Sequence, residues 1–391
     1  MGSFFAQSAI WLQLLTVGWL VRDLTVGSTL SSFLVVGIGG ASLLPGLIAG
    51  PFGATLGDRF ERRKVVMIIQ GFMAILSLSF AFFAGAQLVT AWHVYIYAII
   101  GGACNNVTQP IRMAMVPDTV PERLVGRAIA TNMVTVPSTR MVGPFIGGLL
   151  IFTLGYFWNF ALESFLYIGN ILAFIFLTTP YYTAVSTDKK YSVIGDLIEG
   201  LSYIWNKNRV LLYLIFVALI PNALLEPAIF LFPVFASDVL RRGADVGGYL
   251  MAMSGFGGMC MGIVLIVAGF MLPKGKIVLL AAITSSLFVL LLAYSYILVL
   301  AFALIFLMSA SQVYFRVTQI TIVTTTALPE FRSRMTQLTL VTLSLTIVPS
   351  IGSGWLAGYT TVSFALLSLG LTGMLLGVFY YISQGRLKMI Q

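Results

Sequence analysis

Charge is what this chain has least of. Only 9% of its 391 residues are Asp, Glu, Lys or Arg, and it holds one histidine and two cysteines. So little charge excludes a soluble fold of this length, because the polar surface would not cover it. Cys104 and Cys260 both fall in apolar runs and read as small hydrophobes, which excludes a disulfide framework. His/Cys clusters with metal spacing are missing, and no metal or other cofactor is expected. No grouped nucleophile and base occurs, so the chain is not expected to be an enzyme. A phosphate-binding loop of the form GxxxxGK[ST] is absent as well, which removes ATP as a direct energy source. The period-2 alternation of an outer-membrane barrel is not found either.

What remains is oil. The chain is 59% hydrophobic with a mean hydropathy of +0.99. A membrane span needs about 20 mainly apolar residues, and such runs follow one another almost end to end. Backbone groups in lipid must bond within their own segment, so helices are expected. The runs predict spans at 4–21, 30–56, 64–85, 91–113, 124–152, 157–178, 209–235, 246–272, 276–295, 297–325, 333–357 and 361–383. The expected fold is an all-α membrane protein with twelve transmembrane helices in two six-helix halves.

Lys and Arg set the expected orientation. With the N-terminus inside, 17 basic residues fall on cytoplasmic segments and three, Arg22, Arg241 and Arg242, fall outside. Both termini are therefore expected in the cytoplasm. The net charge of +9 sits at span ends without interleaved aromatics, so no nucleic-acid partner is expected.

The longest polar break, 181–208, separates an N-terminal half, 1–180, from a C-terminal half, 209–391. Ile194, Leu197, Ile198, Leu201 and Ile204 recur there at helical spacing, which reads as a linker helix on the inner membrane surface or as a solvated connector. "VPERLVGRA" (120–128) returns as "LPEFRSRM" (328–335), and "RRKVV" (62–66) is echoed by "KGKIV" (274–278), each a little over 200 residues on. Paired halves place a site near mid-membrane between them.

Charges inside spans cost at least about 2.5–3.5 kcal/mol each on insertion scales, so each needs a reason. Four stand there: Arg140, Glu163, Glu226 and Arg316. Glu226 lies between Pro221 and Pro227, where a kinked helix would turn freed carbonyls and the carboxylate toward a cavity. Its readings are a carboxylate that exchanges a proton for substrate, or a structural pair with Arg316. Glu163 and Arg140 are read first as a charge-neutralising pair of adjacent spans, and second as a proton relay; Arg140 is also placed to face an anionic substrate. Asn105, Asn106 and Gln109 give span four a polar patch that lines a cavity or bonds between helices. His93 reads as an interfacial residue.

Three stretches carry a resemblance. "GATLGDRFERRKVV" packs six charges into residues 58–64 and is similar to the signature loop between spans two and three of the Major Facilitator Superfamily, with Asp58, Arg59, Arg62 and Arg63 at its charged positions. Ala54 and Glu61 stand where the general motif has glycine. "TRMVGPFIGG" (139–148) resembles the GPxxGG antiporter motif through Gly143, Pro144, Gly147 and Gly148. "PIRMAMVPDTVPERLVGRAIATN" (110–132) looks like the loop between spans four and five of the exporter branch that holds macrolide efflux pumps and the enterobactin exporter. Span four lacks the mid-membrane arginine of many proton-coupled drug exporters.

The resemblance implies a secondary active transporter that works by alternating access and exports an amphipathic small molecule, a drug or a siderophore, by proton antiport. Its setting would be the inner membrane of a prokaryote, as a monomer whose partners are substrate, protons and membrane lipids. A lipid or lysophospholipid flippase is the alternative. Asp58 would act as a latch that is intact in one access state and broken in the other.

Overall fold

The computed structural model describes residues 2–28, 30–46, 60–116, 119–177, 209–269, 273–326, 342–343 and 345–384, with isolated positions 202 and 335; of several residues between 122 and 133 only the backbone is described. Every regular element among them is helical. In the first half these are α1 (Gly2–Leu24), α2 (Ser31–Leu43), α3 (Arg62–Gly85), α4 (Ala91–Met115), α5 (Val125–Leu154) and α6 (Tyr156–Ile175). In the second half they are α7 (Arg209–Leu219), α8 (Ala244–Ala268), α9 (Lys274–Leu292), α10 (Leu298–Thr326), α11 (Ile347–Tyr359) and α12 (Val362–Ser383). Nine of the described helices are long and apolar enough to cross a membrane. α4, whose Asn, Gln and Arg residues dilute its hydropathy, and the described parts of α2 and α11 fall on the remaining three expected spans. The 181–208 linker reading lies outside the described residues, apart from position 202.

Local chemistry sets where helices begin and turn. Thr90 and His93 close the start of α4 as a capping box, with the Thr90 backbone N–H donating to His93 Nδ1 at 3.2 Å. His93 thus sits at a helix end, as an interfacial residue would, with a definite bonding role. Thr361 accepts from the Phe364 N–H at 3.1 Å to cap α12. The chain passes from α5 to α6 through Gly155 at φ +85°, a conformation that a side chain would strain.

The seventh span is broken, as Pro221 and Pro227 lead one to expect. After α7 comes a π turn, Ile220–Leu224, then Pro227–Phe230, Phe232–Val234 and a second π turn, Phe235–Val239. Pro227 has no N–H to offer and forces the preceding carbonyls to find other partners. Residues that precede α11 supply the repair: Thr346 Oγ1 donates to the Asn222 carbonyl at 2.8 Å, and Asn222 Nδ2 donates to Thr342 Oγ1 at 3.1 Å. Most of the break is buried, and it leaves Glu226 at its centre.

The halves meet along two helix pairs, α5 with α8 and α2 with α11. The first is a contact of small residues. A Cβ placed on Gly248 would lie 2.4 Å from the Pro144 carbonyl oxygen, one on Gly255 2.4 Å from the Met141 nitrogen, and one on Gly148 2.7 Å from the Ala244 oxygen. Backbone, not side chain, occupies that space, as in close-packed membrane helices. Gly143 and Gly147 turn the same helix toward α1, where a Cβ would meet Ser8 O at 2.8 Å and Leu12 Cδ1 at 2.5 Å. Lipid-facing positions such as Ile68, Ile75, Val267 and Phe176 carry the exposed apolar surface.

Gly255→Val should lower the thermal unfolding midpoint by several degrees, in line with an overpacking cost of about 1–3 kcal/mol. Gly262, with nothing within 4 Å of its Cβ position, is the control; Gly262→Val should leave the midpoint nearly unchanged in the same thermal-shift measurement.

Candidate functional site

The broken seventh span brings Glu226 against the two arginines that stand inside spans. Arg316 Nη2, on α10, lies 3.3 Å from Glu226 Oε2, and Arg140 Nη1, on α5, lies 3.9 Å from Glu226 Oε1. One carboxylate from the second half therefore bridges a cation of each half. Its side chain is 14% exposed, and that of Arg140 is 12%. Arg140 is further fixed by Nε donating to Ser254 Oγ of α8 at 2.9 Å and by stacking over the Trp11 ring of α1 at 4.6 Å. Four helices and the broken span thus converge on one cluster. Pro144, one turn beyond Arg140, and the glycines around it let α5 pass close to α8, which places Ser254 within reach.

The sequence reading paired Arg140 with Glu163, and the structure corrects this. Glu163 is fully buried among α3, α4 and α6, where Tyr97 OH donates to its Oε1 at 2.7 Å and Ser77 Oγ bonds Tyr97 OH at 2.7 Å. Its other oxygen has no hydrogen-bond partner, and no described cation lies within ion-pairing distance. The physical reason is direction: Arg140 turns across the boundary toward Glu226 of the broken span and Ser254 of α8, while Glu163 points into the interior of its own half. Phe80 and Phe160 pack on Tyr97 and seal that interior.

The polar patch of span four also works locally. Asn106 Nδ2 donates to the Gly102 carbonyl at 2.8 Å, Asn105 Oδ1 accepts from Arg112 Nη2 at 3.3 Å, and Gln109 is exposed. Arg112 is 5% exposed within α4 and also bonds Thr108 Oγ1 at 2.9 Å. Span four therefore does hold a buried arginine, one placed toward the end nearest the chain termini.

Asp58 and Arg59 of the charged run lie outside the described residues. Arg62 opens α3. Arg63 reaches the end of α6, with Nη2 donating to the Ile175 carbonyl at 2.7 Å and Nη1 to the Leu177 carbonyl at 3.2 Å. A cation there meets the negative end of the helix dipole and its orphan carbonyls. At the opposite end, remote from both termini, Arg22 joins the halves: Nη2 lies 3.1 Å from Asp238 Oδ1 and Nε donates to Ser237 Oγ at 2.5 Å. Tyr156 OH donates to the neighbouring Asp23 at 2.5 Å. Arg22 was read only as an outer-side cation, and Trp11 and Ser254 were not singled out in the sequence, because their partners lie far along the chain.

Comparison with known proteins bears on this architecture. A family model described as transmembrane secretion effector matches residues 1–389. The chain belongs to that family, within the Major Facilitator Superfamily. Known proteins resemble it over a limited stretch: the enterobactin exporter EntS of Escherichia coli O1:K1 / APEC is 28% identical over 137 residues, 35% of this chain and 32% of that one. The protein of the same description from Shigella boydii serotype 18 gives the same figures. The matched stretch thus spans about a third of the length of these relatives. Among solved structures, the D-xylose-proton symporter superposes with a TM-score of 0.75 at 12% identity, over 97% of this chain and 96% of that one. A bacterial homolog of the human lysosomal transporter Spinster, described as inward-facing and unoccupied, gives 0.70 at 13% identity, over 99% and 96%. At such identities the likeness establishes the fold. This family member is a multi-pass membrane transporter.

A double-mutant cycle should separate the two carboxylates. Arg140→Gln with Glu226→Gln should show a coupling of about 0.5–3 kcal/mol in unfolding free energy, while Arg140→Gln with Glu163→Gln should be additive within about 0.5 kcal/mol.

Proposed function

We propose that the chain is a secondary active exporter of an amphipathic small molecule, a drug or a siderophore, that works by rocking its two halves about a site at mid-membrane. The observation that carries this reading is the shared carboxylate. Glu226 is held by Arg140 from one half and Arg316 from the other, so the contact that closes the site is also a contact between the bodies that would move. The 1–180 and 209–391 halves are the moving units, with 181–208 as their tether.

The direction of export draws support from the partial similarity to the enterobactin exporter and from the GPxxGG run, whose Gly148 lies in the α5–α8 seam while Gly143 and Gly147 pack against α1. Proton antiport is the proposed driving force, with Glu226 and Glu163 as the two intramembrane acids. The setting is the inner membrane of a prokaryote with both termini in the cytoplasm, where Asp58 serves as the latch of the charged loop; the unit is a monomer surrounded by lipid. At the remote end, the Arg22–Asp238 pair closes the passage. Asp238 is 50% exposed, and pairs of that kind contribute about 0–1 kcal/mol, so the closure is easily reopened.

Reconstitution tests the proposal. Proteoliposomes with an imposed pH gradient should accumulate enterobactin or an amphipathic anionic drug, and Glu226→Gln should abolish the gradient-driven part. Movement of lysophospholipid alone, independent of the pH gradient, would replace the exporter by the flippase. No movement of any of the three at matched protein content would refute transport of these classes.

A further inference from the structure

The charge of the central cluster is unbalanced. Among the described residues, two guanidinium groups, Arg140 mostly buried and Arg316 about a third exposed, face one carboxylate, which leaves a surplus positive charge beside a broken helix at the boundary of the halves. A buried charge without full compensation costs several kcal/mol in principle, so a structure that retains one has a use for it.

The hydrogen bonds point the same way. Arg140 spends Nε on Ser254, and its Nη1 stands 3.9 Å from Glu226, beyond hydrogen-bond reach. Its Nη2 is buried with no partner at all. Trp11, whose ring covers the Arg140 guanidinium, has a buried Nε1–H that is also unspent. Gln312 stands one turn before Arg316 on α10, 3% exposed, with Nε2 unpartnered. Each of these unsatisfied atoms is a donor. Buried donors without acceptors are rare in folded proteins, and several around one cationic cluster describe the counterpart of an anion.

We infer that the site between the halves takes the anionic group of its substrate, a carboxylate, phosphate or phenolate-type oxyanion, on Arg140 and Arg316 in competition with the Glu226 carboxylate. This deepens the transport reading and rests on it for the word substrate. The Trp11 indole supplies the apolar face against which the rest of an amphipathic molecule lies. When the anion arrives, Glu226 loses its hold on one or both arginines. The bridge between the halves is then carried by the ligand, which ties occupancy to the contact that must change for the halves to move. A cation has no place in such a cluster, since it would meet two guanidinium groups and a single carboxylate already shared between them.

Three probes of one shape test this: 4-(1-pyrenyl)butyrate, 4-(1-pyrenyl)butanol and 4-(1-pyrenyl)butylammonium. Saturable binding to the full chain in lipid nanodiscs is read by energy transfer from tryptophan to pyrene, with empty nanodiscs subtracted. The wild type should bind the butyrate at least about tenfold tighter than the butanol, as expected for one charge-assisted pair. Arg140→Gln or Arg316→Gln should bring the two within about twofold, while Arg316→Lys keeps the preference. Glu226→Gln, which removes the competing carboxylate, should tighten the butyrate further, a gain that misfolding cannot mimic. Equal affinity of butyrate and butanol in both the wild type and Glu226→Gln, or tightest binding of the ammonium probe, overturns the assignment. Anion preference in a chain that moves nothing across proteoliposomes would leave the site standing and refute transport.

Discussion

The structure depends on a single carboxylate shared by two cations across a boundary. In lipid, a lone Glu226 or a lone Arg140 would be an expense the fold does not carry; together with Arg316 they become tolerable, and only while the halves stay in contact at that depth. The interaction is made possible by a break in a helix. Regular α bonding of the seventh span ends at Leu219, Thr346 just before α11 takes up the Asn222 carbonyl, and Glu226 is left at a turn from which it reaches both arginines. Removing the break would return the carboxylate to a helix face with one direction to point in.

Around that bridge, the two kinds of contact between the halves differ in character. The α5–α8 seam is short-range and steric, backbone against backbone, with glycines where any side chain would hold the helices apart. The Arg22–Asp238 contact at the end remote from the termini is exposed and electrostatic, hence weak and readily exchanged. A seam that admits sliding, closed by a pair that costs little to open, suits two bodies that change their relative tilt. Glu163 stands apart from this machinery. Its partners, Tyr97 and Ser77, belong to its own half, so any change in its state would act on that half's interior first.

Much of the architecture was legible in the sequence. Span positions followed from apolar runs, and the broken seventh span from the Pro221, Glu226 and Pro227 spacing. The pairing of Glu226 with Arg316 was one of the readings its position allowed. What the sequence did not reveal is which way a side chain turns on a helix whose neighbours are unknown. Arg140 and Glu163 are close in sequence and depth, yet they face different compartments of the fold. Arg112 falls at the expected end of span four, and only the continuation of α4 to Met115 shows that it is buried. Trp11 and Ser254 carried no local signal, since their role comes from contacts more than a hundred residues distant. The assignment to the transmembrane secretion effector family fits the motifs that were legible, and it does not decide the cargo.

The central claim is that the shared carboxylate couples the relative tilt of the two halves. Distances between spin labels test it most directly, with one pair at Trp92 and Tyr296, at the end remote from the termini, and another at Phe176 and Val267, at the opposite end; these four positions are 77%, 69%, 81% and 82% exposed. The account predicts that Glu226→Gln shifts both distance distributions in opposite senses, one end widening as the other narrows. Distributions unchanged at both ends, in a variant that remains folded, would contradict it.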